Sequence, residues 1–182
     1  MPITLKRHVG KSAPTTPMLI PLLIVLTFLA LFIHELGHLT IARLCRVPCY
    51  ELGLGLGPKL LEFRFLNIRF TLRPIPLGSF VKLEGSDLKS RPVRQQLYVH
   101  LAGIVLNLFF GFAAYGTFFG WINLLLAAGN LLPLYQHDGW KCGVVLVRAL
   151  IQRNSQPAEL AFTFSGGFAS FVFAWAVIRL FI

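Results

Sequence analysis

LTFLALFIHELGHLTIARL, residues 26–44, carries three ionisable side chains in the middle of an apolar run. The run extends over residues 18–44 at helical spacing, which predicts one long membrane helix. His34 and His38 are four residues apart, so their imidazoles lie one turn apart on the same face. Neutral imidazoles bind zinc, and Glu35 between them can take a proton from water. Three ionisable groups are costly in a membrane helix without a metal or a wet cavity, so we predict a zinc site.

The composition is typical of a membrane protein. Of the 182 residues, 55% are hydrophobic and 13% are charged, and the mean hydropathy is +0.69, which is too apolar for an ordinary soluble domain. At roughly 20 residues per membrane helix, the length leaves room for a few spans and their loops. We therefore expect residues 1–182 to form a single membrane-embedded domain without large extramembrane modules.

The basic residues indicate the orientation in the membrane. The net charge is +10, but no nucleic-acid recognition motif accompanies it, so we expect no nucleic-acid partner. An odd count of cysteines, which lie near the basic stretches, favours a reduced, cytoplasm-facing environment. Ten of the seventeen basic residues lie between two apolar segments, as in a cytoplasmic loop: Arg43, Arg46, Lys59, Arg64, Arg69, Arg73, Lys82, Lys89, Arg91 and Arg94.

Hydrophobic patterning predicts about four membrane helices. The polar residues 1–17 form a lead-in; a signal peptide is the alternative, but no small-residue cleavage site follows the apolar run. The third segment is too short to span unless its last residues also lie at membrane depth. The remaining elements are helix 2 at 97–119, helix 3 at 121–138, an amphipathic stretch at 139–153 and helix 4 at 158–182.

The loop at 45–96 has strand patterns. Residues 60–73 alternate as in a β-hairpin, with Leu66 and Asn67 between the two runs. Glycines alternate with leucines at 52–57, and residues 79–84 can add another short strand. The predicted fold is an all-α polytopic membrane protein with a small β insert between the first and second helices. The insert can be simply a small sheet on the membrane surface.

A catalytic zinc with two histidine ligands needs a further protein ligand. Outside the loop, the remaining acids are Asp138 and Glu159. Glu159 follows a proline at a helix start, where an acid complements the helix dipole. Asp138 ends the short third segment, so it is the candidate third ligand.

Four separated motifs together resemble the site-2 protease family of intramembrane zinc metalloproteases. The first is His34-Glu35-Leu-Gly-His38. The others are Gly53-Leu-Gly-Leu-Gly57-Pro58 with Pro76-Leu-Gly78-Ser-Phe-Val-Lys82, Ala102-Gly103-Ile-Val-Leu-Asn107, and Asn130-Leu-Leu-Pro133 through Asp138-Gly139. Their order and loop lengths resemble the three-helix catalytic core of that family, in a minimal form without a PDZ or CBS module.

The resemblance implies a zinc metalloendopeptidase that cleaves within or beside transmembrane segments of membrane-protein substrates. It implies one zinc ion per chain on His34, His38 and Asp138, with Glu35 as the general base. The site would be reached from the cytoplasmic side, and we expect a bacterial inner membrane. Further roles carried over by the resemblance are substrate positioning or oxyanion stabilisation by Asn107 and Gly103, and support of the ligands by His137 and Asn130.

Several alternatives remain open at the level of the sequence. His137 can be a spare zinc ligand, a partner of Asp138 or a residue at the wet membrane boundary. Gly103 can serve helix packing as well as the site. The main rival function is a non-proteolytic zinc-binding membrane protein that holds client helices. A zinc transporter would need polar residues through the whole bilayer, and the second half of each helix lacks them.

Overall fold

The computed structural model describes residues 16–151 and 156–181, so most of the predicted lead-in and the end of the amphipathic stretch lie outside the described residues. Ten elements follow one another: α1 Thr16–Leu44, β1 Cys49–Leu56, β2 Leu61–Phe65, β3 Ile68–Leu72, β4 Ile75–Leu83, α2 Gly85–Ser90, α3 Val93–Ala113, α4 Phe118–Leu131, α5 Asp138–Ile151 and α6 Gln156–Phe181.

The fold is mostly helical, with a small sheet between α1 and α3, as predicted. Three helices are long and apolar enough to cross a membrane: Met18–Leu44, Val93–Ala113 and Pro157–Arg179. Helix α4 has 14 residues and rises about 21 Å, which is less than the ~30 Å hydrocarbon core. Among the described residues, three of the four expected membrane helices are therefore long enough to span.

The largest differences from the predicted helix boundaries are at the ends of α3 and α4. Helix α3 ends at Ala113, before the predicted end at residue 119, because the side chain of Thr117 accepts a hydrogen bond from the Gly120 amide and caps α4. Helix α4 ends at Leu131 rather than continuing to Asp138. Its end precedes Pro133, which has no amide hydrogen, and Asp138 instead begins α5.

The sheet has the strand order β2-β3-β1-β4. Strands β2 and β3 are antiparallel, β1 and β3 are parallel, and β1 and β4 are antiparallel. Leu39 of α1 is buried together with Leu52 and Ile68 of the sheet, so one face of the sheet packs along α1. Strand β4 stands at an edge of the sheet, beside α1.

Close backbone approach brings α1 and α3 together. A Cβ atom added at Gly37 would lie 2.6 Å from the carbonyl oxygen of Ala102, so only glycine allows this contact. Helices α3 and α4 also lie close together, since a Cβ atom at Gly120 would lie 3.1 Å from the carbonyl oxygen of Gly111 in α3. These two contacts bring α1, α3 and α4 together around the centre of the molecule.

Candidate active site

Two histidines of α1 meet the first residue of α5. The Nε2 atoms of His34 and His38 each lie 3.0 Å from Oδ2 of Asp138 and 3.1 Å from each other. All three residues are buried. His34 and His38 share a helix face as predicted, whereas Asp138 is 104 residues from His34 and reaches the pair only through the packing of α5. Three donors of this type, which lie this close together, can hold one metal ion.

The backbone of α3 orients the second histidine. The Val99 carbonyl oxygen lies 2.7 Å from Nδ1 of His38. Because a carbonyl can only accept, Nδ1 donates, and Nε2, the other ring nitrogen, faces the cluster. Gly103, one turn further along α3, faces both rings: a Cβ atom there would lie 2.5 Å from Nε2 of His38 and 2.7 Å from Cε1 of His34. Only glycine at this position leaves room for the imidazoles.

The two carboxylate oxygens of Asp138 have separate partners. Oδ2 faces the histidines, and Oδ1 accepts a hydrogen bond of 2.9 Å from Nζ of Lys141, three residues later in α5. Burial alone would raise the pKa of the Asp138 carboxyl, but the hydrogen bonds with His34 and His38 and the charge of Lys141 lower it. The Asp138 carboxyl is therefore ionised at neutral pH.

Glu35 is buried beside the cluster and contacts the sheet. The Ser79 hydroxyl of β4 donates a hydrogen bond of 2.6 Å to Oε1 of Glu35. A buried carboxylate needs partners to offset its desolvation, and this hydroxyl supplies one. It also restricts the rotamer of Glu35, so the carboxylate is held next to the two histidines.

The donor set fits zinc. Two imidazole nitrogens and one carboxylate oxygen are ligands that zinc takes in hydrolytic sites, where a fourth position stays open. Tetrahedral ligands at about 2.0–2.1 Å from zinc lie roughly 3.3 Å apart. The observed separations of 3.0–3.1 Å are close to that value. A small movement of these side chains would accommodate the ion.

A cavity of about 540 Å³ opens at this cluster. Its walls come from α1, β4, α3, α4 and the start of α5. His137 lines the cavity but is not a member of the cluster, and its Nδ1 lies 3.4 Å from the carbonyl oxygen of Tyr135. Asn130 also lines it and donates a hydrogen bond to the Leu126 carbonyl of its own helix. The cavity is large enough for a short peptide segment next to the ligands.

Asn107 lies four residues after Gly103 on α3 and has no solvent exposure. Neither its amide nitrogen nor its carbonyl oxygen has a hydrogen-bond partner within the part of the chain that the structure describes. It is not among the residues that line the cavity. Buried amides are nearly always paired, so this side chain has hydrogen-bonding capacity in reserve.

Cys142, one turn after Asp138 on α5, is buried and free. Burial, followed by the charge of Asp138, raises the pKa of its thiol to about 11. The thiol is therefore protonated at neutral pH, and its sulfur is not a member of the metal-ligand cluster.

Three contacts of the site were not predicted from the sequence. Lys141 follows Asp138 at helical spacing, a signal that could have been read. Ser79 is the only hydroxyl in β4, but nothing local indicates that it meets Glu35. The Val99 carbonyl has no sequence signal at all, because every residue carries a carbonyl.

Comparison with known proteins decides the family. Residues 22–119, more than half of the chain, match the sequence profile of Peptidase family M50. The chain belongs to peptidase family M50. The resemblance to site-2 proteases is thereby confirmed. Given its three long apolar helices, this M50 chain is an integral membrane protein.

Several curated relatives of this M50 chain are named as zinc metalloproteases. A protein of Helicobacter pylori is 35% identical over 111 residues, which are 54% of this chain and 32% of the relative. Zinc metalloprotease RasP of Shouchella clausii is 35% identical over 88 residues, which are 46% of this chain and 20% of the relative. RasP of Geobacillus kaustophilus is 43% identical over 56 residues, which are 31% of this chain and 13% of the relative. The chain covers at most about a third of the length of these relatives.

Proposed function

We propose that this chain is an intramembrane zinc metalloendopeptidase that hydrolyses peptide bonds within or next to transmembrane segments of other proteins. The observation that carries the proposal is the buried group of His34, His38 and Asp138 with Glu35 beside it, at the end of a cavity. Membership of the M50 family and the names of the relatives support the same activity. Clearance of signal-peptide remnants and regulated cleavage of membrane proteins are both uses of this activity.

Each residue has a separate role in the proposed reaction. His34, His38 and Asp138 hold zinc, one ion per chain, and zinc when bound acts as a Lewis acid toward water and the scissile carbonyl. Glu35 takes the proton of the attacking water and returns it to the leaving amine. Ser79 keeps the Glu35 carboxylate in place through its hydrogen bond. Lys141 holds the Asp138 carboxylate through its other oxygen, Oδ1, which leaves Oδ2 directed at the two histidines.

The substrate would meet the site as an extended strand. A helix must unwind before its carbonyl groups can reach a catalytic group, and the freed amides then need partners inside the membrane. Strand β4 is an edge strand, and its residues from Gly78 to Val81 line the cavity. An unwound segment can pair with that edge, next to Glu35.

Two α3 residues complete the proposal. Gly103 leaves the space that the two imidazoles occupy. Asn107 has an unpaired buried amide, which can donate to a substrate carbonyl or to the oxyanion once the substrate is in place. His137 and Asn130 lie in the cavity wall, where they can support the substrate or the ligands.

The site is proposed to face the cytoplasm of a bacterial inner membrane. Ten basic residues lie over 43–94, after the first membrane helix, and α5 carries Lys141, which lines the cavity, and Arg148. Such residues concentrate on the cytoplasmic side of membrane proteins. The uncharged turn between α3 and α4 then lies on the opposite side.

The activity is tested with Glu35→Gln, which keeps the shape of the side chain but removes the base. The purified protein is reconstituted with a panel of tagged single-pass segments and signal-peptide remnants. We expect wild type to cleave at least one of them about 10²–10⁴-fold faster than the variant. Zinc content is measured in both proteins and should be equal. Cleavage at the same rate by both would contradict the role of Glu35 as the base. Full zinc with no cleavage of any segment by wild type would favour a zinc-binding protein that only holds helices.

A further inference from the structure

Two arginines stand directly opposite each other in the β2–β3 hairpin. Arg64 pairs with Arg69 in the strand register, and like charges in such a position repel each other. Arg64 has no hydrogen bond or ion pair within residues 16–151 and 156–181. The carboxylate of Glu62 lies 3.4 Å from Nε of Arg69, but Lys59 holds the same carboxylate at 2.7 Å. Glu62 thus has two cationic partners, and Glu51 stands opposite Arg69 on β1, but no anion in the described part of the chain is paired with Arg64, which leaves an excess of positive charge there.

The arginine pair borders a concavity of about 460 Å³. Its lining consists of Tyr50, Arg64, Leu66, Asn67 and Arg69. Nε of Arg69 is buried and makes no hydrogen bond within the described residues. Guanidinium, amide and phenol groups supply donors here; the Tyr50 hydroxyl is already engaged by Glu84 at 3.0 Å. Paired guanidinium groups with free donors match the geometry of phosphate oxygens.

The C-terminal end of α1 contacts the hairpin and thereby indicates where the concavity lies relative to the membrane. Arg43 is in the last turn of α1, and its Nη2 donates a hydrogen bond of 2.9 Å to the carbonyl oxygen of Leu66 in the hairpin turn. The Arg64–Arg69 pair lies two residues from that turn, or about 7 Å along the strands. Helix α1 is long and apolar enough to cross a membrane and ends at Leu44, so the pair lies close to the end of an apolar helix, and headgroups lie at the ends of membrane helices.

Apolar side chains of the same hairpin also face outward. Phe63, Phe65 and Leu66 are at least half exposed, although strand alternation directs Phe63 and Phe65 away from the arginine face. Leu66 has a φ of 50°, a backbone conformation that leucine rarely adopts. The two-residue hairpin turn requires a positive φ at both Leu66 and Asn67, and it leaves the apolar side chain of Leu66 exposed at the tip of the hairpin.

We propose that Arg64 and Arg69, together with Asn67, form a binding site for the phosphodiester headgroup of an anionic phospholipid, with Tyr50 as part of its wall. The phosphate lies between the two guanidinium groups and removes their mutual repulsion. The apolar side chains of the hairpin contact the acyl chains. This site is separate from the zinc cluster, and its occupancy does not depend on whether the protein cleaves peptides.

The test is a titration with phosphatidylglycerol of the purified chain in neutral detergent, followed by native mass spectrometry. Arg64→Glu replaces the repelling pair by an attracting one, so its unfolding temperature without lipid should equal or exceed that of wild type. Its affinity for phosphatidylglycerol should fall by at least about tenfold. Arg69→Gln removes the other half of the site and should weaken binding as well.

The matched control is Arg94→Glu. Arg94 is an exposed arginine at the start of α3, and its replacement changes the net charge by the same amount. Wild-type affinity in this control and loss in Arg64→Glu support a built site. Equal affinities in all variants, or equal losses in Arg64→Glu and Arg94→Glu, would reduce the attraction to general electrostatics and overturn the proposal. A parallel titration with inorganic phosphate should leave the lipid bound; displacement at matched concentration would make free phosphate the ligand.

Discussion

Single glycine residues leave the space that the imidazoles of His34 and His38 need. Gly103 faces the two histidine rings, and Gly37 faces the backbone of α3. A methyl group at Gly103 would collide with Nε2 of His38, the atom that faces the cluster. A residue with no side chain is therefore a condition for the metal site, although it contributes no ligand.

Gly103→Ala should weaken zinc binding. The added Cβ would lie 2.5 Å from Nε2 of His38, so the ring must leave its position. We expect the zinc affinity to fall by about ten- to a hundredfold, a loss typical when the groups that orient metal ligands are changed. The measurement is a competition titration with a zinc chelator.

Gly129→Ala is the control for that experiment. Gly129 also lies in a helix, but a Cβ atom there would meet nothing within 4 Å. Its replacement should leave zinc affinity unchanged and stabilise α4 slightly, since alanine favours helix more than glycine does. Equal zinc affinities for both variants would show that the rings can move aside without cost.

At the scale of secondary-structure elements, the packing of the sheet on α1 positions a residue of β4 next to Glu35. The sheet packs along α1 through Leu39, Leu52 and Ile68, and this packing carries Ser79 to Glu35. The strand that is proposed to receive the substrate is thus the same strand that holds the proposed base. Pairing of a substrate with β4 and positioning of Glu35 are therefore mechanically linked.

Ser79→Ala should lower the rate of cleavage without loss of metal. The variant removes the only described hydrogen bond of the Glu35 side chain, so the carboxylate samples more rotamers. We expect kcat to fall about tenfold, with KM nearly unchanged, because the hydroxyl acts on the base and not on substrate binding. Ser79→Thr, which keeps the hydroxyl, should restore most of the rate.

Ser86→Ala serves as the control for Ser79→Ala. Ser86 is exposed and donates to Glu84, away from the cluster. This variant should cleave like wild type. A loss of zinc in Ser79→Ala, or a change in KM alone, would contradict a role in positioning the base.

At the scale of the molecule, the candidate metal site connects two helices that are far apart in the chain. Its ligands come from α1 and α5, which contact each other mainly through α3 and α4. A bound ion would link these distant elements directly. Binding energy of the metal is then also folding energy of the membrane core.

Zinc removal should therefore lower the unfolding temperature. We expect a strong chelator to lower Tm of wild type by about 5–10 °C, since a ligand that binds only the folded state stabilises it. Asp138→Ala should show no such shift, because it lacks one of the three ligands. Thermal unfolding in detergent, with and without chelator, measures both.

His137→Ala separates the two neighbouring candidates for the third ligand. Its side chain is outside the cluster, so the chelator should lower Tm as in wild type. If instead His137→Ala abolished the shift and Asp138→Ala kept it, the ligand assignment would be wrong.

Much of the candidate site could be predicted from the sequence, because several of its residues lie close together in the chain. His34, Glu35 and His38 lie within five residues of one helix, and helical geometry alone brings the two imidazoles to one face. Asp138 could be predicted as the third zinc ligand because few other acids lie outside the loop. The ends of α3 and α4 were placed wrongly, since hydropathy does not distinguish an apolar turn from an apolar helix and the cap at Thr117 is a side-chain contact.

What the sequence by itself determined is the apolar helices, the strand pattern between α1 and α3, and the pair of histidines with Glu35. These depend on periodicities of a few residues, which the chain carries locally. The tertiary structure alone decided that Asp138 reaches both histidines, that the Val99 carbonyl orients His38, and that Ser79 meets Glu35. Residues 44 to 104 positions apart meet only when whole elements pack, and packing depends on the shape of every contacting face.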